Sequence, residues 1–404
     1  MEMEPLQEAA SVLYVLGAAI AGGFTVLGLL RFRNQRTAEQ MKQSLAKHQD
    51  YFTYLSIQMD DHDALQPPPG PLTGMELRAV QSKLLEWIET IHGRHRDKLT
   101  ALCRDIGLVE AERKRLSSPW HWVRVEAAHL LGVMRAAECT ETLLALLERE
   151  TAESTAFVIG RAAAKCAQKP EELHKLIALL AKQHPQARQL IADIISSSSV
   201  DAVPVYHEML DTESDETLLL LALTGLSGSN RPSSVTSLER LISSDAKEVR
   251  VRAAKLLLND PHLLLPGRVS ELLAHPDWEI RAAAAKAIGA HQLLFDMEPL
   301  KASLTDEQWW VRYNSAQSLA RLGLEGFKAL CETAHAAPSE SLLDATWDAI
   351  HEKMDQAIAA AAEEVRHIPF LNEMSHMYRT IFQQNYTSLQ NEFSPHRFVE
   401  RGAG

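Results

Sequence analysis

A short phrase recurs every 31 residues in the second half of the chain. Arg250, Arg281 and Arg312 are equally spaced, and each follows a β-branched residue and precedes a pair of small residues three and four places later. A fixed period of this size indicates helical hairpins that stack side by side, because each hairpin can bury its apolar face only against its neighbours. The sequence therefore predicts an all-α solenoid of hairpins of about 31 residues, and extending the period in both directions gives about eight of them.

The composition excludes several classes of function. The formal net charge is −12, whereas a nucleic-acid-binding protein needs a basic surface to neutralise phosphates. None of the four cysteines stands in a Cys-x-x-Cys pair, so neither a disulfide scaffold nor a zinc site is expected. The chain also lacks a phosphate-binding loop, a His-Glu-x-x-His segment and a Gly-x-Ser-x-Gly segment. We therefore expect a non-enzymatic protein with no cofactor and no metal ion.

A charge-free segment lies near the start of the sequence. Residues 9–30 contain no charged side chain and are long enough to cross a bilayer as one helix. A cleaved signal peptide is the alternative, but it begins with basic residues and has a shorter apolar run. Here acidic residues precede the segment and Arg31, Arg33, Arg36 and Lys42 follow it, and the basic side of a span stays in the cytoplasm. The sequence predicts a transmembrane helix over 9–30 with the N-terminus outside and the rest of the chain in the cytoplasm.

Three segments separate the predicted span from the repeats. Residues 31–64 are predicted as a juxtamembrane amphipathic helix, 65–74 as a proline-rich linker, and 75–116 as a helical cap with two helical patterns. Within the first segment, apolar positions alternate at steps of four and three, a spacing typical of a coiled coil. This seam indicates either a homodimer through residues 41–59 or a helix lying on the membrane or on the repeats. The seam positions are Met41, Leu45, His48, Phe52, Leu55 and Met59.

The repeat array is predicted over 117–354, and residues 355–404 are predicted as a C-terminal capping or docking helix and tail. An open end of a solenoid must be covered, which favours the cap. The alternative is an amphipathic helix that docks elsewhere, because one face is apolar at three-four spacing. That face consists of Met374, Met377, Tyr378, Ile381 and Phe382.

The arginines of the repeated phrase have a structural explanation. An arginine just after a helix start can reach the carboxylate that caps the helix or the carbonyls of the neighbouring hairpin, so that the pairs form a ladder along the stack. Suitable carboxylates are those of Asp245, Asp277 and Asp306. The helix starts themselves are predicted from side chains that commonly cap helices. These are Ser118, Asp245 and Thr305.

The second helix of each hairpin usually lines the concave face of such an array. Positions two and five places after the repeated arginine are predicted to face this surface, and in the second half of the chain they form a mildly basic groove. Such a groove can take an acidic peptide or a partner's acidic loop, while solvated helix surface is the alternative for any one residue. Tryptophans near the helix starts serve as interface anchors or fill gaps between hairpins. The candidate partner-binding residues are Trp122, Glu126, His129, Arg252, Lys255, Lys286, Trp309, Trp310, Asn314, Gln317 and Arg321.

The phrases over 275–289 and 309–316 resemble short, phycobilisome-lyase-type HEAT repeats, and the resemblance covers about residues 117–350. With one N-terminal span and the Ile-Gly-Leu-Val-Glu segment at 106–110, the chain is similar to bacterial membrane-anchored HEAT-repeat proteins encoded beside membrane glycosyltransferases. This resemblance implies an accessory scaffold for an exopolysaccharide-synthesising complex at the cytoplasmic face of the inner membrane.

An enzyme or lyase built on HEAT repeats, acting on a protein or a cofactor, is the alternative function. HEAT-like iron hydroxylases carry repeated His-Glu pairs, whereas those at 207–208 and 351–352 do not fall in register. HEAT-like alkylpurine glycosylases need a basic cleft, which the acidic total disfavours. The expectation is therefore a membrane-tethered scaffold that binds protein partners.

Overall fold

The computed structural model describes residues 4–61, 64–72, 74–228, 235–264, 267–294, 297–336 and 344–382, without the side chains of residues 4–15, 17–19 and 21. Every regular element in these ranges is a helix, as the repeat period predicts. By its internal contacts the chain forms two compact units, which are Met1–Leu180 with Ile194–Asp201, and Ala181–Asp193 with Ala202–Gly404.

The first unit contains eight complete α-helices among its described residues. They are α1 (Glu4–Lys47), α2 (Gln49–Gln58), α3 (Gly74–Thr90), α4 (Arg94–Asp105), α5 (Leu108–Arg115), α6 (His121–Val133), α7 (Thr140–Arg149) and α8 (Glu153–Cys166). Two further helices, α9 (Pro170–Gln183) and α10 (Arg188–Ser196), contain residues of both units.

The second unit continues the helical hairpins through the rest of the described chain. Its helices are α11 (Ala202–Thr212), α12 (Glu216–Leu226), α13 (Val235–Ile242), α14 (Lys247–Asn259), α15 (Arg268–Leu273), α16 (Trp278–His291), α17 (Met297–Ala302), α18 (Trp309–Arg321), α19 (Gly323–Ala336), α20 (Asp344–Glu363) and α21 (Ile368–Phe382). The even-numbered helices α12 to α20 pack in sequence against one another in one row. The helices α11, α13, α15, α17 and α19 form a second row that covers it.

Small residues set the spacing of the even-numbered row. Three and four places after each repeated arginine the side chains are fully buried, as at Ala253 with Ala254 and Ala284 with Ala285. Small side chains at these places let neighbouring helices approach closely, so that the apolar residues on either side interdigitate. The alanine pairs of the repeated phrase are therefore a packing feature. This architecture confirms the predicted all-helical hairpin fold.

A fixed turn precedes the helices that carry the repeated arginines, and the same turn precedes Arg124, because residues 118–124 match residues 275–281 in order. The side chain of the residue six places before the arginine accepts a hydrogen bond from the backbone N–H of the residue four places before the arginine. The arginine Nη1 then donates to the two backbone carbonyls six and five places before itself, at 2.7–3.2 Å. The arginine thus ties the turn to its own helix. The accepting side chains and distances are Ser118 (3.3 Å), Ser244 (3.3 Å), His275 (3.0 Å) and Asp306 (2.8 Å), before Arg124, Arg250, Arg281 and Arg312.

Two of these arginines also bind the next repeat. Arg250 donates from Nε and Nη2 to the carboxylate of Asp277 at 2.8 and 3.3 Å. Arg281 donates in the same way to Asp306 at 2.8 and 2.9 Å. These bidentate pairs confirm the predicted ladder at both aspartates. At Asp245 the backbone carbonyl, not the carboxylate, accepts from Arg250.

The ladder lowers the pKa of both carboxyl groups. For Asp277 the hydrogen bond from Arg250 is the main cause of the lowered pKa. Burial opposes ionisation of Asp306, but the hydrogen bonds from Arg281 and from the backbone of Gln308 outweigh it and the pKa lies below its usual value. Both carboxylates therefore stay ionised at neutral pH, where they hold the arginines of the preceding repeats.

The predicted helix caps are wrong in a consistent way. The N-cap residues are Trp120, Ala246 and Gln308, and none of them caps its helix through a side-chain hydrogen bond. The helices begin one to three residues later than a cap at Ser118, Asp245 or Thr305 requires. The helices begin later because the residues before them belong to the turn. This turn is held by the hydrogen bonds from the arginine and by the side chain six places before the arginine, which accepts a backbone hydrogen bond.

The His275 turn makes the second unit sensitive to mild acid. His275 Nδ1 accepts from the backbone N–H of Asp277, which requires an unprotonated Nδ1. Burial lowers the pKa of His275, outweighing the nearby Asp277 carboxylate. A group with a lowered folded pKa binds protons more readily when unfolded, so stability is full above the ordinary value of 6.5 and falls as the pH drops below it.

We expect the His275→Ser variant to lose less thermal stability than the wild-type chain between about pH 7.5 and about pH 5.5. Serine keeps the hydrogen-bond acceptor, as Ser118 and Ser244 show in the equivalent turns, but it does not titrate. Circular dichroism melts at several pH values measure the difference. Parallel pH dependences for the two proteins would contradict it.

Helix α1 exposes large apolar side chains. Leu16, Phe24 and Leu27 are 59%, 72% and 62% exposed. Among the described side chains, no helix combines the length and the apolar character needed to cross a membrane. Half of the residues in the predicted span over 9–30 have side chains outside the described set, so the span stays a prediction.

The coiled-coil seam is covered in part within the chain. A break at His48 separates α1 from α2, and beyond it Phe52, Leu55 and Met59 are 5%, 0% and 9% exposed. The Phe52 ring lies edge-on to Trp87 of α3, with ring centroids 6.0 Å apart. The second half of the seam is thus covered by the chain itself, whereas Met41, Leu45 and His48 are partly exposed, and the homodimer through residues 41–59 stays a prediction. The spacing identifies an apolar seam correctly, but it cannot tell which helix covers it.

The segments around the predicted linker also differ from expectation. Leu65 is buried and Tyr51 donates its hydroxyl to the Gln66 carbonyl at 3.0 Å, so the proline-rich stretch is held against α2 and is not an extended spacer. Residue 73 lies outside the described chain. The predicted cap contains three helices, not two, because Gly93 and Gly107 adopt positive φ angles of 67° and 81° that separate them.

The last described helix packs onto the array. Met374 and Tyr378 of α21 are 0% and 2% exposed, and α21 contacts α19 and α20. The Phe382 ring lies 5.2 Å from that of Trp347. This packing supports a cap and not a docking helix. Residues 383–404 of the predicted tail lie outside the described chain.

Candidate binding groove

A groove with a volume of about 600 Å³ crosses three helices of the even-numbered row in the second unit. Alanines of α16 form its floor, because their small side chains leave space between the larger residues of α14 and α18. The volume lies in the range of pockets that hold small ligands or short segments. The lining residues are Lys255, Leu258, Asn259, Trp278, Glu279, Ala282, Ala283, Lys286, Ala287, Ala290, His291, Trp310 and Asn314.

Two lysines give the groove its positive charge. Lys255 and Lys286 are exposed and occupy the same place in consecutive repeats. Neither has a carboxylate oxygen within 4.0 Å among the described residues. Glu279 also lines the groove, but Lys247 pairs with it at 2.9 Å and offsets its charge. The lysine charges are therefore available to a bound anion.

An aromatic cluster stands at the α18 side of the groove. Trp310 is 54% exposed, and its ring lies 4.7 Å from that of Trp309 at an interplanar angle of 79°. Trp309 in turn stacks on Tyr313 at 5.0 Å. These contacts hold Trp310 in place while leaving much of its ring uncovered. A rigid, exposed indole is the kind of side chain that anchors protein interfaces.

Polar groups near the groove are partly engaged. Asn314 Nδ2 donates to the Trp310 carbonyl at 2.7 Å, which leaves its side-chain oxygen free to accept. His291 donates from Nε2 to the Leu258 carbonyl at 3.0 Å, because a carbonyl can only accept. Together the lining groups are two ammonium groups, two indoles, two amides, the carboxylate of Glu279, which pairs with Lys247, the imidazole of His291, which is bonded to a backbone carbonyl, and apolar side chains. They are suited to holding a ligand and provide no nucleophile paired with a base.

The structure brings four of the predicted binding residues together in the groove. These are Lys255, Lys286, Trp310 and Asn314. Trp309 supports Trp310 but does not line the groove. The other three predicted residues of the second unit lie outside it. Arg252 bonds to Glu248 and Thr224, Gln317 donates to Glu352 at 2.8 Å, and Arg321 is exposed.

The predicted residues of the first unit form no part of this site. Trp122 is 61% exposed, Glu126 pairs with Arg115, and His129 is exposed. The predicted set therefore divides between the two units of the chain.

Trp278, Asn259 and His291 line the groove but were not predicted from the sequence. Asn259 lies nine places after Arg250, one helical turn beyond Lys255. Extending the same face by one turn in every repeat would have found it. Trp278 is another tryptophan at a helix start, but its repeat position alone does not separate packing from binding.

The described residues contain no group of three or more histidine, cysteine, aspartate or glutamate side chains placed to hold a metal ion.

Comparisons with known proteins agree with the repeat assignment. Residues 265–351 match a family model described as HEAT repeats. Most of the groove lies inside the matched residues, while its α14 wall precedes them. The match confirms the resemblance to HEAT repeats in this part of the chain. No curated protein matches the chain.

Among solved structures, the chain is similar to an engineered protein from the Northeast Structural Genomics Consortium. The two share 17% sequence identity with a TM-score of 0.36, over 82% of this chain and 98% of that one.

Proposed function

We propose that this protein is a non-catalytic adaptor, tethered to a membrane by α1, that holds partner proteins on its helical repeats. The observation that carries the proposal is the exposure of α1. Leu16, Ile20, Phe24, Leu27 and Leu30 are about half exposed or more, in a sequence stretch that contains no charge from residue 9 to 30. A monomeric soluble protein rarely exposes so large a contiguous apolar surface, and a lipid bilayer covers it without a protein partner.

The charges that follow the apolar stretch within α1 support one orientation. Arg31, Arg33 and Arg36 follow the apolar stretch directly, and basic residues at the end of a span stay in the cytoplasm. The N-terminus then lies outside and the repeats lie in the cytoplasm. We further propose that the partner is a membrane glycosyltransferase of an exopolysaccharide-synthesising complex. This part of the proposal rests on the resemblance of the chain to bacterial membrane-anchored HEAT-repeat proteins, through its N-terminal apolar stretch, the segment at 106–110 and the Trp-Trp-Val-Arg repeat at 309–312.

The anchor is tested by deleting residues 9–30. We expect the full chain to remain with membranes after extraction with alkaline carbonate, and the deletion variant to appear in the soluble fraction. We also expect the full chain, solubilised in mild detergent, to co-purify a glycosyltransferase in stoichiometric amount. Extraction of the full chain by carbonate would refute the anchor, and turnover of a substrate by the purified chain would refute the adaptor.

Orientation is tested with an engineered cysteine, because the native ones are unreactive. All four cysteines are buried, and burial raises the thiol pKa to about 11 for Cys139 and to about 12 for Cys103, Cys166 and Cys331. Lys328→Cys places a thiol on the outer face of α19, where the side chain is about half exposed. An impermeant maleimide should label this variant only after the cells are broken. Labelling in intact cells would reverse the orientation.

A further inference from the structure

We propose that the groove across α14, α16 and α18 binds a peptide segment that carries two acidic side chains about three residues apart beside one large apolar or aromatic side chain. The inference rests on the proposed adaptor function and specifies the chemistry of the partner at that site.

The spacing of the acidic residues follows from the two lysines. Lys255 and Lys286 stand at equivalent places on α14 and α16, which pack as neighbours. Packed helices lie about 8–10 Å apart, and a chain in the polyproline II conformation advances about 3.1 Å per residue with three residues per turn, so that side chains three residues apart share one face. A segment that crosses the two helices therefore presents its carboxylates to the two lysines about three residues apart.

Charge complementarity selects an acidic segment. The cations around the groove differ in whether they are already neutralised. Lys247 pairs with Glu279, and Arg252 shares Glu248 with Arg188, whereas Lys255 and Lys286 have no carboxylate partner among the described residues. Unpaired charge at a groove rim steers and orients a ligand of opposite sign. A basic segment would meet two uncompensated ammonium groups and be repelled.

The aromatic cluster favours a bound segment with one large apolar or aromatic side chain. Trp310 keeps 54% of its surface exposed although Trp309 and Tyr313 fix its ring. Small residues such as Ala283 and Ala287 leave room beside it. An apolar or aromatic side chain placed there covers the indole and the alanine floor together, and such a central apolar contact carries most of the affinity in protein interfaces.

A selection from a random peptide library tests the proposal without knowledge of the partner. The full chain, solubilised in mild detergent, is presented to a phage-displayed library of random dodecapeptides, and enriched sequences are counted. The test variant carries Lys255→Glu and Lys286→Glu. The control carries Lys328→Glu, which reverses one lysine charge in the same way on α19, in the other row of helices. All three lysines are on the surface, and the melting midpoints verify that the variants fold.

We expect the wild-type chain and the Lys328→Glu control to enrich peptides with paired acidic residues beside an apolar one. The double variant should lose this enrichment, and Trp310→Ala should weaken a selected peptide by roughly tenfold. Enrichment without a charge preference, enrichment of basic peptides, or an unchanged selection by the double variant would overturn the proposal. The result is independent of carbonate extraction, so a failed groove and a failed membrane anchor are told apart.

Discussion

Replacing Arg281 with alanine is expected to destabilise the second unit by about 3 kcal/mol. Arg281 and Asp306 are only 12% and 13% exposed, and they form a bidentate pair between consecutive repeats. The substitution leaves the largely buried Asp306 carboxylate without its cation. It also frees the carbonyls of His275 and Pro276 in the turn before α16. Losing one partner of a buried pair costs more than the pair contributes, because the remaining charge is left desolvated.

Thermal or urea denaturation of the full chain in mild detergent, followed by circular dichroism, measures this effect. Arg252→Ala is the matched control, because Arg252 lies on the even-numbered row but pairs with Glu248 at the surface, and its loss should change the midpoint much less. Arg281→Lys should recover only part of the stability, since an ammonium group cannot form the bidentate pair. An Arg281→Ala midpoint equal to that of the wild-type chain would contradict the ladder.

Replacing Gly289 with alanine is expected to destabilise the same unit by about 1–3 kcal/mol. At an exposed position inside a helix, replacing glycine with alanine would stabilise the protein by about 1 kcal/mol, because alanine has the higher helix propensity. Here a Cβ on Gly289 would lie 2.6 Å from the Cα of Ser318 in the neighbouring helix α18. Ser318 is buried and the atom in contact is backbone, so the two helices must move apart.

Gly160→Ala is the control for this prediction. Gly160 is also helical and buried, but a Cβ there would meet only the methyl ends of Leu180 at 3.2–3.3 Å. A leucine end can rotate away, so the two opposing effects should nearly cancel. Denaturation midpoints of the two variants provide the comparison. A Gly289→Ala variant more stable than the wild-type chain would show that α16 and α18 are not in such close contact.

The sequence predicts the repeat well because one arginine marks its phase. The arginine, the small pair behind it and the acceptors Asp277 and Asp306 were predicted correctly, since each is needed at a fixed distance from a helix start, whereas the carboxylate of Asp245 does not accept from Arg250. The caps predicted at Ser118, Asp245 and Thr305 are wrong, because a side chain before a helix can stabilise a turn instead of capping the helix. Ser118 does so itself, and beside Asp245 and Thr305 the neighbouring Ser244 and Asp306 do so. Only the conformation of the chain distinguishes the two.

The groove was predicted in part for a similar reason. Helical periodicity identifies the face that holds Lys255 and Lys286, but it cannot determine which exposed residues meet a neighbour. Arg252 and Gln317 lie on the predicted face and are engaged by Glu248 and Glu352 instead. Likewise, Phe52 and Leu55 were recognised as an apolar seam, while their burial within the chain depends on a packing partner that is distant in sequence.

The arginine–aspartate pairs between consecutive repeats have a consequence for how such an array lengthens in evolution. The repeat around α16 supplies an acceptor, Asp277, to the repeat before it and a donor, Arg281, to the repeat after it. A tandem copy of that repeat would carry both its own aspartate acceptor and its own arginine donor. Genetic duplication can therefore lengthen the array one module at a time, without a new junction having to evolve first.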